Sequence, residues 1–275
     1  MDLHLHSTAS DGAYEPAEVV RRAAAEGISV LALSDHDTTA GVAEALAAAA
    51  ALPKGPRVIP AIELTVRVRP GDRGTVHLLG YGIDLACGEL QDVARRNRRG
   101  KRTQIAATLQ QLREREGIAF DLEELSAGRE PDAYLGRHHI ASALVRRGLS
   151  RSRTKAFRRY LRNERVPEVE VVGAEEGLRA IVAAGGVPVL AHPTDLDLGA
   201  HLNPLVEYGL RGIEAHRPRT TPAHLERILR RAERHGLAIT GGSDFHGHYP
   251  EAPLGTWRAP HEALAPFVEE LSRGG

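Results

Sequence analysis

Cysteine is nearly absent from this chain. Cys87 stands alone among 275 residues, so no intrachain disulfide can form, and a reducing compartment is expected. Aromatic residues contribute only 4% of the sequence, which leaves alanine, valine and leucine to build the core. No apolar run approaches the roughly 20 residues a membrane-spanning helix requires. The opening Met-Asp-Leu-His-Leu-His places no basic stretch ahead of an apolar one, so no signal peptide is expected. A cytoplasmic protein with no membrane association follows as the default, and the sequence shows no sign of an obligate protein partner.

Net charge is also missing, with 36 Lys+Arg set against 36 Asp+Glu. That balance joins two unlike parts. Between Gln91 and Arg165 lie 19 basic and 9 acidic residues, while the rest of the chain holds 17 basic and 27 acidic. A basic segment beside an acidic body suggests an anionic partner. The plainer reading is a solvated, arginine-rich helical surface.

Hydrophobic periodicity divides the chain at the same places. Residues 1–84 alternate strand and helix. Asp2–His6, Ile28–Leu33, Val58–Val68 and Thr75–Gly82 read as strands, the last two joined by a turn at Pro70, Gly71 and Gly74. Glu15–Glu26 and Thr39–Leu52 read as helices, the first with Pro16 near its start and Gly27 after its end. Residues 85–169 show helical spacing and no convincing strand. From 170 to 275 alternation resumes, with strands at Val187–Ala191, Gly212–Ala215 and Leu237–Thr240. Helices are expected at Ala174–Ala184, Asn203–Gly209, Thr221–His235 and His261–Arg273. The expectation is an α/β fold with a parallel sheet, made of a catalytic body (1–84 and 170–275) and a basic helical insertion (85–169).

Histidines and carboxylates gather at strand ends. His4 and His6, one residue apart on a strand, face the same side. Asp11 sits in a Ser-Asp-Gly turn, and Asp35, His36 and Asp37 follow the strand that ends at Leu33. Glu63 and His77 lie within apolar stretches, where an unpaired charge is costly. His192 ends Val-Pro-Val-Leu-Ala-His, and Asp244 and His246 belong to Gly-Gly-Ser-Asp-Phe-His-Gly. Singly, each has a bland explanation: a satisfied core histidine, or a helix cap for Asp35. Together, five or more strand ends each deliver a ligand-type group, and in a β/α barrel those ends converge on one face. Nitrogen and oxygen donors without thiolate favour Mn²⁺, Fe²⁺ or Zn²⁺. A carboxylate such as Glu63 can bridge two ions, a geometry suited to displacement at phosphorus. Glu214, His216, Arg217 and Arg219 follow another strand end and either bind substrate or line the rim. Asp37 is expected to orient a ligand imidazole, and His248 and His261 read as surface residues.

Asp-Leu-His-Leu-His-Ser-Thr-Ala-Ser-Asp-Gly at residues 2–12 resembles the opening motif of the polymerase-and-histidinol-phosphatase (PHP) family. Ser34-Asp35-His36-Asp37, Glu63, His77, Ala191-His192-Pro193 and Gly242-Ser243-Asp244-Phe245-His246-Gly247 resemble its later motifs, in the family's order. The resemblance covers residues 1–84 and 170–257. It implies a distorted (β/α)7 TIM-like barrel carrying three divalent ions, with Mn²⁺ favoured over Fe²⁺ or Zn²⁺. By position, His4, His6, Glu63 and Asp244 match the first ion's ligands. Bridging Glu63, His77 and His192 match the second, and Asp11, His36 and His246 the third. Aspartate at position 11, where some relatives carry histidine, is similar to the nucleotide-phosphatase branch.

Leu135-Gly136-Arg137-His138-His139-Ile140-Ala141 resembles a Gly-Arg-Pro-His-Ile-Ala motif of PHP phosphoesterases acting on nucleoside 3′,5′-bisphosphates, with His138 in place of the proline. The resemblance implies removal of the 3′-phosphate and, in some relatives, 5′-to-3′ trimming of short RNA. It makes Glu63, Asp244, His192 and Arg137 the catalytic candidates and Arg137, His138, His139, His216 and Arg217 the substrate contacts. Arg137 is expected to grip the phosphate that is not cleaved. Two other readings compete. The basic insertion counts against a histidinol-phosphate phosphatase, and the complete ligand set counts against a non-catalytic accessory module of the polymerase type.

Overall fold

A computed structural model describes residues 1–72, 74–162, 165–249 and 252–273. Seven strands form one curled sheet in sequence order: β1 (Asp2–Leu5), β2 (Val30–Leu33), β3 (Arg57–Val66), β4 (Val76–Tyr81), β5 (Val187–Leu190), β6 (Gly212–His216) and β7 (Ala238–Gly241). The outer helices are α1 (Pro16–Ala25) and α2 (Val42–Ala50), then α3 (Gly88–Glu116), α4 (Leu122–Ser126), α5 (Arg137–Arg146) and α6 (Arg153–Tyr160). After them come α7 (Ala174–Ala183), α8 (Leu202–Glu207), α9 (Pro222–His235) and α10 (His261–Arg273). Every element expected from periodicity appears within a few residues of its expected bounds. No helix among the described residues is long and apolar enough to cross a membrane.

The sheet is not parallel throughout, which corrects the sequence expectation. β4 runs antiparallel to both β3 and β5. The chain between Val66 and Val76 is too short for a parallel crossover, which needs a dozen or more residues, so β4 returns as a hairpin. The consequence is functional. In the parallel strands the mouth of the barrel lies at the C-terminal end, but His77 reaches the same mouth from the start of β4, opposite Thr65.

β1 and the segment that follows β7 meet at that mouth. Leu5 and Phe245 form a parallel bridge, the His6 amide donates to the Phe245 carbonyl (3.0 Å), and the Phe245 amide donates to the His4 carbonyl (3.4 Å). A Cβ on Gly242 would sit 2.4 Å from the His4 nitrogen, so the seam closes only over glycine. Inside, the Tyr81 hydroxyl donates to the Leu3 carbonyl (2.9 Å). Caps follow local chemistry. Pro16 opens α1, and the Thr221 hydroxyl accepts from the His224 amide (3.3 Å) to start α9 ahead of Pro222.

Helix α3 belongs to two cores. Leu90, Val93 and Ala94 pack with Ile62, Leu64 and Leu178 of the barrel. Ile105, Leu109 and Leu112 pack instead with Phe120, Leu125, Ile140, Leu144 and Tyr160. Gly100 marks the crossing point, since a Cβ there would collide with the Glu170 carbonyl at 1.8 Å.

Candidate metal centre at the barrel mouth

Glu63 is fully buried near the end of β3 and is met by five imidazoles. Its Oε2 faces His4 Nε2 (3.2 Å), His6 Nε2 (3.2 Å) and His36 Nδ1 (3.0 Å). Its Oε1 faces His77 Nδ1 (2.8 Å) and His192 Nε2 (2.9 Å). Asp244 Oδ1 approaches His6 Nε2 (3.3 Å), His4 Nε2 (3.6 Å) and His246 Nδ1 (3.6 Å). Asp11 Oδ1 stands 3.3 Å from His246 Nε2 and 4.0 Å from both His36 Nε2 and His6 Nδ1. All nine residues proposed as ligands from the sequence therefore meet in one place.

Three groupings have donor atoms close enough to share an ion: His6, Asp11, His36 and His246; His4, His6 and Asp244; and His36, Glu63 and His77. Among the described residues they overlap the three expected sets without coinciding with them: Glu63 is not grouped with His4 and Asp244, His192 is in no group, and His6 and His36 each belong to two. His36 turns one nitrogen to Asp11 and the other to Glu63, and His6 stands between the first two groups. His192 touches Glu63 and lies 3.1 Å from His77 Nδ1.

The donor atoms fit divalent cations. His4 Nε2, both nitrogens of His6, His36 Nδ1, Glu63 Oε2 and His246 Nε2 are buried and have no hydrogen-bond partner. An unsatisfied buried polar atom costs about 1–3 kcal/mol. So many at one point are what a shared cation would satisfy. Charge agrees. Burial alone would raise Glu63, yet His36, His4 and His77 hold it well below the usual carboxylate range. Burial would lower His6, yet Asp244 and Glu63 raise it to about 10. The mouth demands positive charge, which a divalent ion supplies in place of protons.

A second layer fixes these groups. Glu214, fully buried on β6, reaches His4 Nδ1 (2.9 Å) and accepts from the His192 amide (2.8 Å), leaving His4 Nε2 to face Glu63. Asp35 accepts from the Ser7 amide (2.8 Å), the Ser7 hydroxyl (2.7 Å) and the Ser10 hydroxyl (2.6 Å), so it anchors the loop that carries Asp11. It is not a helix cap. Asp2 accepts from the Ser243 amide (2.8 Å) beside Asp244. Asp37 departs from expectation. It accepts from the Thr65 amide and hydroxyl (2.9 Å each) and from Asn97 (2.8 Å), so it ties β3 to α3 and orients no imidazole. Asp37, His192 and Asp244 all adopt positive φ, at 50°, 31° and 55°. Backbone strain of about 1–3 kcal/mol per residue is gathered where side-chain direction matters most.

The expected substrate contacts are spread around the rim. Arg217 lies 3.4 Å from Glu214 and 3.5 Å from Asp244, and His216 ends β6, half-buried. Arg137 opens α5, donates to the Leu161 carbonyl (3.3 Å) and lies 5.9 Å from the Phe157 ring centre. His138 stacks on His246 (5.6 Å between centroids), and His139 Nδ1 accepts from the Gly136 amide (3.1 Å). Burial pulls these two histidines down to about 3 and about 4, so both are neutral near pH 7. His248 is not a plain surface residue, because its Nε2 sits 2.6 Å from the Asp11 carbonyl. His261 is exposed, as expected.

Sequence reasoning missed Lys101, Arg129, Tyr134 and Arg153. Lys101 on α3 is held in the field of Asp37, Asp11 and Glu63, and the buried Tyr134 stacks on His36 (5.5 Å). These belong to an arginine-rich segment in which nothing local distinguishes a side chain facing the mouth from one facing water.

Comparison with known proteins agrees with this geometry. A PHP domain profile matches residues 2–141. The 3′,5′-nucleoside bisphosphate phosphatase of Chromobacterium violaceum is 36% identical over 258 residues, 90% of this chain and 87% of that protein. The phosphoribosyl 1,2-cyclic phosphate 1,2-diphosphodiesterase of Eggerthella lenta is 34% identical over 94% of this chain and 98% of its own length. The 5′-3′ exoribonuclease Rnm of Escherichia coli is 31% identical over 92% of this chain and 87% of its own. Among solved structures, a Bifidobacterium adolescentis protein assigned to the metal-dependent phosphoesterases superposes with a TM-score of 0.86 at 28% identity, covering 100% of this chain and 96% of that one. The chain belongs to the PHP family and is a metal-dependent phosphoesterase, a hydrolase whose candidate metal ligands converge at the mouth of a curled seven-stranded α/β barrel.

Proposed function

We propose that this enzyme removes the 3′-phosphate from nucleoside 3′,5′-bisphosphates, giving a nucleoside 5′-monophosphate and phosphate, in the cytoplasm. Trimming of short RNA from the 5′ end is a second activity of the same site, favoured by the exoribonuclease named among the relatives. Three divalent ions, Mn²⁺ in first place with Fe²⁺ or Zn²⁺ as alternatives, would be held by His4, His6, Asp11, His36, Glu63, His77, His192, Asp244 and His246. The observation that carries this reading is Glu63, a buried carboxylate whose two oxygens face two different sets of imidazoles.

Bound there, divalent ions supply Lewis acidity toward a phosphoryl oxygen and acidify water. The chain's own residues do the rest. Glu63 and Asp244 present fixed negative charge to the cations, and Glu214 keeps the His4 ring in the tautomer and direction that serve them. His192, pinned through its amide, closes the Glu63 side. Arg137, within electrostatic reach of Lys101 and Tyr134, would contact substrate phosphate. His138, His139, His216 and Arg217 line the approach. The stretch 85–169 acts as a helical domain that bears the cationic half of the substrate site on a barrel domain formed by 1–84 and 170–275.

Phosphate release from a nucleoside 3′,5′-bisphosphate, a phosphoribosyl 1,2-cyclic phosphate, histidinol phosphate and a short 5′-phosphorylated RNA tests the reading, with metal content measured on the same sample. The bisphosphate should give the highest kcat/KM. A tenfold preference for histidinol phosphate or the cyclic phosphate would overturn it.

A further inference from the structure

A cavity of about 390 Å³ opens beside the metal ligands, between the Asp11 loop and helices α5 and α6. Its lining includes Asp11 and His248, Arg129, Arg146 and Arg153, and the neutral rings of His138 and His139. Glu124 at the edge is already ion-paired with Arg147 (2.5 Å), so its charge is spent outside the cavity. With three guanidinium groups against Asp11 and the already paired Glu124, the cavity lining carries an excess of positive charge.

Arg153 is its most unusual member. One terminal nitrogen contacts His138 Nδ1. The other terminal nitrogen and Nε are buried and have no hydrogen-bond partner. Guanidinium groups bury donors in this way where an anion with paired oxygens completes them. His138 stacks in turn on His246, so Arg153 stands one ring away from the Asp11–His246 group. Arg129 donates to the carbonyls of Thr8 (3.0 Å) and Ser10 (3.3 Å), which ties it to the Asp11 loop.

We propose that this cavity is a second anion subsite, in which Arg153 holds the phosphate that is not cleaved. On the bisphosphate reading above, on which this inference rests, that is the 5′-phosphate. The motif put Arg137 forward for this role. Arg137, however, approaches the Leu161 carbonyl and the Tyr134 side, while Arg153 lines the cavity that opens from the metal ligands. Specificity for two phosphates then comes from the spacing between the ions and one guanidinium.

Two measurements on metal-loaded enzyme test this. The first is the ratio of kcat/KM for a nucleoside 3′,5′-bisphosphate to that for the 3′-monophosphate. The second is inhibition of p-nitrophenyl phosphate hydrolysis by a nucleoside 5′-monophosphate. Arg153→Gln should lower the ratio and raise the inhibition constant, each by at least about tenfold, the loss of a charge-assisted pair. Arg153→Lys, which keeps the charge without the planar fork, should fall between, and serves if the glutamine variant does not fold. Arg158→Gln, on the exposed face of α6, should change neither. If the parent favours the bisphosphate and both Arg153 variants keep that preference and the parental inhibition constant, the subsite is wrong and the bisphosphate reading stands. If the parent ignores bisphosphates while the 5′-monophosphate still inhibits through Arg153, the substrate reading is wrong and the anion subsite stands.

Discussion

At the barrel mouth, charge is buried, crowded and mutually compensating. Glu63, Asp11 and Asp244 are packed among imidazoles, and their positions are locked by Glu214, Asp35 and Asp2. In the stretch that carries α3–α6 positive charge prevails, with 19 basic against 9 acidic residues between Gln91 and Arg165, and much of it meets water. Exposed Arg158 and Arg159 are typical, and buried, unpartnered nitrogens such as those of Arg153 are uncommon. The contrast teaches where each kind of error is tolerated. Removing one group from the mouth leaves others buried without a partner, so effects there should be large and cooperative. Removing Arg137 or Arg153 from the helical segment should act chiefly on substrate.

The strongest way to break that contrast is Glu63→Ala. It should lose more than one equivalent of metal by elemental analysis and reduce turnover by about a thousandfold or more, since it touches three imidazoles on one oxygen and two on the other. Far-UV circular dichroism should show α3–α6 intact. Unchanged metal content would remove its bridging role.

Glu214→Gln comes next. It keeps the shape of the side chain but weakens its hold on His4, so metal affinity should drop by about 10–100-fold. Competition with a chromogenic chelator would measure this. A large loss of melting temperature with unaltered affinity would make Glu214 merely structural.

On the other side of the comparison, Arg137→Ala should lower kcat/KM about tenfold, the loss of one charged contact. If Arg137 contacts the phosphate that is cleaved, bisphosphate and 3′-monophosphate should suffer alike, unlike in the Arg153 variants. A selective loss on the bisphosphate would return the second phosphate to Arg137.

The smallest effect is expected outside both regions. Asp197 is partly buried. Burial would raise its carboxyl, but the Thr194 amide and hydroxyl and His201 hold it below the usual range. A depressed carboxyl adds stability above its unfolded pKa of about 4 and loses it as pH falls through the folded value. Asp197→Asn should therefore melt below the parent at pH 7 by no more than about 4 °C. Thermal scans should show the gap closing below about pH 4. A gap that persists in acid would mean that shape, not charge, is at work.

Much of the site was legible because metal ligands are chemically conspicuous. A histidine or carboxylate inside an apolar strand or just beyond its end needs a reason, and nine such candidates brought to one mouth suggest the same one. Strand and helix positions were legible from period alone. The arginines were not, because nineteen basic residues fall between Gln91 and Arg165, and a surface helix tolerates an arginine at almost any outward position. Asp37 misled for the same reason. Its neighbourhood in sequence is the ligand His36, but its partners Thr65 and Asn97 are distant along the chain.

The sequence by itself determined the alternation of elements, the family's ligand set and the separation of a basic segment from an acidic body. Each of these rests on residue type and local spacing. Only the tertiary structure decided the rest. It turned β4 antiparallel so that His77 arrives at the mouth from a strand's beginning, set Glu214 behind His4, and packed Arg153 against His138, which stacks on His246. Those outcomes depend on which distant segments pack together, and long-range packing is settled by the burial of the whole chain rather than by the pattern in any one part of it.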